Sequence, residues 1–147
     1  MVDANLSALY QEIILDHYRR PRNKGALHHA DASVAMKNPL CGDEIELQLE
    51  FDGDTVRDVK FTGQGCSISQ ASTSMMTELV KGKREHEIER LREAFRAMVM
   101  GDATAETTSL GTARALAGVS RFPARVKCAL LGWNALEEGI ERHHEDD

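Results

Sequence analysis

The stretch Glu44-Ile45-Glu46-Leu47-Gln48-Leu49-Glu50-Phe51 decides the fold. Its apolar residues recur at every second position. An extended chain therefore buries Ile45, Leu47, Leu49 and Phe51 on one face and wets the other. Asp52-Gly53 follows as a hairpin signal. The return strand is read over residues 55–62, with Val59 and Phe61 inward. Val56 is out of phase with them, which places a bulge near Arg57 and Asp58. Residues 32–37 supply a third, shorter strand upstream. The expectation is an antiparallel meander of three strands.

Working outward, the remaining patterns are helical. Leu6, Leu9, Tyr10, Ile13, Ile14 and His17 form one apolar stripe over residues 5–20, which Pro21 ends. Arg19, Arg20, Arg22 and Lys24 then make a basic patch, read either as a solvated helix end or as a docking site. After the third strand, Gly63-Gln64-Gly65 turns the chain into a helix reaching about Lys81, capped by Ser67 or Ser69. Its buried sides include Ala71, Met75, Met76 and Leu79. Residues 83–100 are highly charged, with Ile88, Leu91, Phe95, Met98 and Val99 at helical spacing. A small helix is expected over 109–117. A last one opens at Phe122-Pro123 and buries Val126, Ala129, Leu130, Trp133, Leu136 and Ile140. The polar tail 141–147 is expected to fray.

The composition excludes several function classes. A chain of 147 residues with 41% hydrophobic content fits one compact domain, here 1–147, without disulfide staples. A net charge of −6 argues against nucleic acid, since no basic excess is available to displace counterions from phosphates. No apolar run reaches the length of a membrane span, and the N-terminus shows no apolar signal core. A cytoplasmic protein is expected.

The chemistry is sought in three cysteines, Cys41, Cys66 and Cys128. An odd number in a reducing compartment is not a disulfide framework. Each lies at an element boundary. Cys41 sits in the loop Asn38-Pro39-Leu40-Cys41-Gly42-Asp43, where Pro39 stiffens the chain and Gly42 permits close backbone approach. Cys66 stands at a helix start, where N–H dipoles favour a thiolate. Cys128 lies early in the last helix, off the face read as core. With Asp43 the three sulfurs make a four-donor set that suits zinc, and thiolates also suit an iron–sulfur cluster. Spacing alone leaves open both this shared site and three separately buried thiols.

The residues also carry a resemblance. The order Leu9-Tyr10, Ile14-Leu15-Asp16-His17-Tyr18, Pro21-Arg22-Asn23, then Asn38 to Asp43, then Gly63 to Ser72, then Arg125-Val126-Lys127-Cys128-Ala129 with Leu131 and Trp133 resembles the IscU/NifU-N-terminal superfamily. Within it the chain is most similar to the SufU branch. IscU-type proteins carry a histidine immediately before the third cysteine, where this chain has Lys127. The charged helix at 83–100 matches an insertion that marks SufU proteins.

That resemblance implies an α+β fold, a three-stranded antiparallel sheet packed against about five helices, as in SufE/IscU-like proteins. It implies zinc on Cys41, Asp43, Cys66 and Cys128. It implies a SufS-type cysteine desulfurase as partner, the pyridoxal phosphate enzyme of the pair, with Suf cluster-assembly proteins downstream. Cys41 is the residue expected to leave the metal, accept persulfide sulfur and hand it on. The alternative is an IscU-type scaffold building a [2Fe–2S] cluster on the same cysteines. Arg125 is read either as a partner or carboxylate contact or as a plain helix-surface residue. His17 is read as a satisfied core or interface residue, and the pairs His28-His29 and His143-His144 as solvated.

Overall fold

The structure, a computed structural model, describes residues 2–39 and 42–146, and side chains within 8–39 and 42–145. Helix α1 covers Val2–Arg19. Strands β1 (Ala32–Asn38), β2 (Asp43–Asp52) and β3 (Thr55–Gln64) follow. Then come α2 (Ser67–Val80), α3 (Glu85–Val99), a 3-10 helix (Thr108–Arg121) and α4 (Pro123–Asp146). The protein is thus α+β, with a three-stranded antiparallel sheet and five helical segments among the described residues.

The alternation of β2 builds the sheet's buried face. Ile45, Leu47 and Leu49 are at most 2% exposed. The β2–β3 register slips between Glu50 and Phe51, so Glu50 faces Asp58, Phe51 faces Val56, and Arg57 is the extra residue. This is the expected bulge. It lets Val56 and Val59 both turn inward despite their odd spacing. In the other hairpin Asn38 faces Asp43, and the Gly42 amide donates to Asn38 O at 2.9 Å.

Helix α2 is the axis of the helical layer, packed against α1, α4, β3 and the 3-10 helix. Residues 69–77 are all buried, although Ser69, Gln70, Ser72, Thr73, Ser74 and Thr77 are polar. Their hydroxyls find acceptors inside the protein. Ser72 Oγ donates to Ala129 O at 2.7 Å, Thr73 Oγ1 to Ser69 O at 2.9 Å, and Thr77 Oγ1 to Ser74 O at 2.6 Å. Small side chains also let α4 come close. A Cβ on Gly132 would lie 2.2 Å from Thr73 Oγ1. This close crossing sets Cys128 of α4 against the start of α2. Trp133 and Phe95 stack with centroids 4.7 Å apart and tie α3 to the same core.

His17 is 2% exposed and satisfied. Its Nδ1 lies 2.8 Å from Ser74 Oγ, which also accepts the Arg22 backbone N–H at 2.8 Å. In the basic patch, Arg20 and Arg22 both pair with Asp16.

Three expectations are corrected. The tail does not fray at residue 141, because α4 continues to Asp146. His143 stacks on Phe51 with centroids 3.8 Å apart and reaches Gly53 O at 3.1 Å, while His144 pairs with Glu85. His143 is therefore a packing group, whereas His144 stays exposed, as do His28 and His29. The small helix at 109–117 is a longer 3-10 helix, broken at Gly111 where φ is 54°.

Candidate metal centre

Three chain segments converge beside the start of α2. Asp43 is the first residue of β2 and is fully buried. The β3–α2 connection brings Cys66 against it. Asp43 Oδ1 accepts the Cys66 backbone N–H at 2.8 Å, and Oδ2 lies 3.7 Å from Cys66 Sγ. Gly65 makes this approach possible. Its φ is +144°, and a Cβ there would stand 2.2 Å from Asp43 Oδ1.

Cys66 itself caps α2, not Ser67 or Ser69 as expected. Its Sγ accepts the Ser69 amide at 3.4 Å, so a helix N-terminus aims an N–H dipole at the sulfur. Ser69 instead donates its hydroxyl to Cys66 O at 3.1 Å.

Cys128 corrects a second expectation. It was placed off the core face of the last helix, yet it is fully buried. That face was drawn too narrowly. Helix α4 packs on the sheet and on α2 together, so Cys128, Leu131 and Ala135 are buried along with Ala129, Trp133 and Leu136. Asn38 Nδ2 approaches Cys128 Sγ at 4.0 Å, and that sulfur lies 3.8 Å from Ala124 O.

One donor atom each from Asp43, Cys66 and Cys128 lies within 4.8 Å of the others. Tetrahedral zinc sets a bound sulfur and oxygen about 3.5–3.7 Å apart and two sulfurs about 3.8 Å apart. The 3.7 Å between Cys66 Sγ and Asp43 Oδ2 meets that spacing directly. Two thiols and a carboxylate gathered in a mostly buried place are a donor set that fits the metal. The fourth expected donor, Cys41, lies outside the described residues.

Arg125 is exposed in the first turn of α4, and its backbone amide donates to Phe122 O at 2.7 Å. Lys127 is exposed while Cys128 beside it is buried, so the two side chains leave the helix on different sides. Asn38 went without a role in the sequence reading. Its side chain reaches Cys128 and its backbone ties the loop base through Gly42. The signal is an Asn-Pro dipeptide, a turn-favouring pair, shortly before Cys41 in the sequence.

The NifU-like N-terminal domain family matches residues 9–129 of this chain. The zinc-dependent sulfurtransferase SufU of Bacillus subtilis is 49% identical over 95% of this chain and 95% of its own. The iron–sulfur cluster assembly scaffold protein IscU of Streptococcus pyogenes is 45% identical over 97% of this chain and 89% of its own. Among solved structures, a candidate iron–sulfur cluster assembly scaffold for the SUF system of Fervidobacterium islandicum superposes with a TM-score of 0.83. It is 38% identical and covers 88% of this chain and 94% of its own. With fold, motif order and relatives in agreement, the chain belongs to the NifU-like N-terminal domain family.

Proposed function

We propose that this protein is a zinc-dependent sulfurtransferase. It accepts persulfide sulfur from a SufS-type cysteine desulfurase on Cys41 and passes it to Suf proteins for iron–sulfur cluster assembly. The observation that carries this reading is the convergence of Asp43, Cys66 and Cys128 from three distant segments, in a chain similar to a zinc-dependent sulfurtransferase over nearly its whole length.

Asp43, Cys66 and Cys128 would hold the metal together with Cys41. Zinc, when bound, keeps thiolates deprotonated at neutral pH and has no redox chemistry with which to consume sulfane sulfur. The chain's own residues supply the rest. Asp43 anchors the Cys66 backbone, and the Ser69 amide holds the Cys66 sulfur at the head of α2. These residues keep their place while Cys41, on the loop between β1 and β2, acts. The Cys41 thiolate attacks the terminal sulfur of the donor persulfide. A sulfur–sulfur bond forms to Cys41, the donor's own sulfur–sulfur bond breaks, and the donor cysteine leaves as thiolate. Cys41 then carries a persulfide for an acceptor thiol. Arg125, exposed one turn before Cys128 on α4, is suited to contact the donor protein.

A second reading is a scaffold that assembles a [2Fe–2S] cluster on the same thiolates, as the printed name of the Streptococcus relative describes for that protein. The exposure of Lys127 favours the first reading, because it offers no donor where IscU-type proteins have histidine. Metal analysis and visible absorption of the purified protein separate them. The transfer reading expects zinc and a colourless protein. The scaffold reading expects iron and visible bands.

A further inference from the structure

β3 is an edge strand, and its outer side is bonded by other segments at two places. At the start, the Val56 amide donates to Lys83 O at 2.9 Å and the Gly82 amide to Val56 O at 2.7 Å. In the middle, Lys24 bridges Phe61. There the Phe61 amide donates to Asn23 O at 3.0 Å and the Gly25 amide to Phe61 O at 2.9 Å. Ladder bonds alternate along a strand, so the next outward amide and carbonyl belong to Gly63. Among the described residues no bridge continues past Lys24 to this end.

An uncovered edge is a template for another chain, and natural edges are guarded by charge, proline or bulges. Here the edge reads Gly63-Gln64-Gly65, with no side chain at two of three positions. It borders a cleft of about 410 Å³ lined by Tyr18, Pro21, Lys24, Gly63, Gly65 and Gln70. Among the described residues Lys24 is the charged member of the lining, in a chain of net charge −6, and the Glu44 carboxylate beside this edge accepts from Gln64 Nε2 at 3.4 Å. The edge then runs directly into Cys66. The strand ends at Gln64 and the chain bends at Gly65, so Cys66 lies at most about 10 Å along the chain from Gly63.

We propose that the open end of β3 at Gly63 and Gln64 receives an extended segment of the sulfur-donating protein by strand addition, with a carboxylate of that segment against Lys24. This rests on the sulfur-transfer reading above and names where that donor docks. Main-chain bonds to Gly63 set the segment's register, and the cleft accepts an alternate side chain. Two or three residues further along, the segment reaches the centre held by Asp43, Cys66 and Cys128. A contact this short suits a transient exchange complex.

Amide hydrogen exchange on the full zinc-loaded chain, free and saturated with desulfurase, tests this. The Gly63 amide is expected to exchange at least about tenfold more slowly in the complex, with the already bonded Phe61 amide unchanged. Lys24→Glu, at an exposed position, is expected to raise the KM for sulfur transfer about tenfold, with kcat and the melting temperature of the free protein unchanged. Sulfur arriving on Cys41 while Gly63 exchange stays the same overturns the docking proposal and leaves the transfer reading standing. Protection of Gly63 in concentrated protein without the donor assigns the edge to a second copy and likewise overturns it. Absence of both a complex and sulfur on Cys41 overturns the transfer reading itself, and the docking proposal with it.

Discussion

Asp43 grips Cys66 twice: one carboxylate oxygen accepts its backbone N–H at 2.8 Å and the other stands 3.7 Å from its sulfur. The aspartate therefore positions a thiol as well as offering a donor of its own. The two roles are separable. Asp43→Asn keeps an oxygen for the Cys66 amide, whereas Asp43→Ala leaves that N–H without its partner, at a cost of about 1–3 kcal/mol. Both variants are expected to lose zinc affinity in competition with a chromophoric chelator. In urea unfolding of metal-free protein, the alanine variant is expected to be the less stable of the two. An asparagine variant that holds zinc as tightly as the native chain contradicts the donor role.

Gly65 is the narrowest point of the site. Its φ of +144° disfavours a side chain, and a Cβ there would collide with Asp43 Oδ1. Gly65→Ala is expected to destabilise the fold by about 1–3 kcal/mol and to weaken metal binding, because relief requires moving Asp43 or Cys66. Equal zinc affinity in the variant contradicts this.

Gly132 and Thr73 pack α4 directly against α2. Gly132→Ala forces a methyl to 2.2 Å from Thr73 Oγ1, and overpacking of this kind costs about 1–3 kcal/mol. Thr73→Ala in that background removes the two outer atoms, Oγ1 and Cγ2, and leaves the Thr73 Cβ at 3.0 Å. The double variant is expected to be more stable than Gly132→Ala alone in urea unfolding, a non-additivity that marks direct contact.

These interhelical contacts mark the limit of what the sequence made legible. The strand alternation of residues 44–51 and the Val56 phase shift translate directly into sheet face and bulge, because a strand's period acts locally. Helix α2 did not read as a buried axis, since its serines and threonines resemble solvent-facing residues until their acceptors on α4 and within α2 are known. Cys128 was misplaced for the same reason: a single apolar stripe cannot show that α4 is covered from two sides. His143 stacks on Phe51 across 92 positions of sequence, so a polar tail read alone gave no sign of staying helical. The gathering of Asp43, Cys66 and Cys128 came from motif order, as spacing alone left separate thiols equally open.

His17 gives the fold a pH dependence of known sign. Burial, and then the nearby Arg22 guanidinium, hold its pKa below the ordinary value of about 6.5. The unfolded chain takes up the proton first as pH falls. The contribution is therefore complete above about 6.5 and is lost as pH drops toward the lowered folded value. Metal-free protein, which removes acid release of zinc from the comparison, is expected to lose stability between neutral pH and pH 5. His17→Gln is expected to flatten that slope. An unchanged slope in the variant assigns the dependence to other groups.

Sulfur transfer through Cys41, with Cys41, Asp43, Cys66 and Cys128 as the zinc ligands, is the proposal on which the rest depends. The most direct measurement is peptide mass spectrometry of the purified, metal-quantified protein after incubation with desulfurase and cysteine. The account predicts one zinc per chain retained throughout and the added mass of one sulfur on the Cys41 peptide, absent from Cys41→Ala. Sulfur on Cys66 or Cys128 instead, uptake that survives Cys41→Ala, or iron in place of zinc contradicts it.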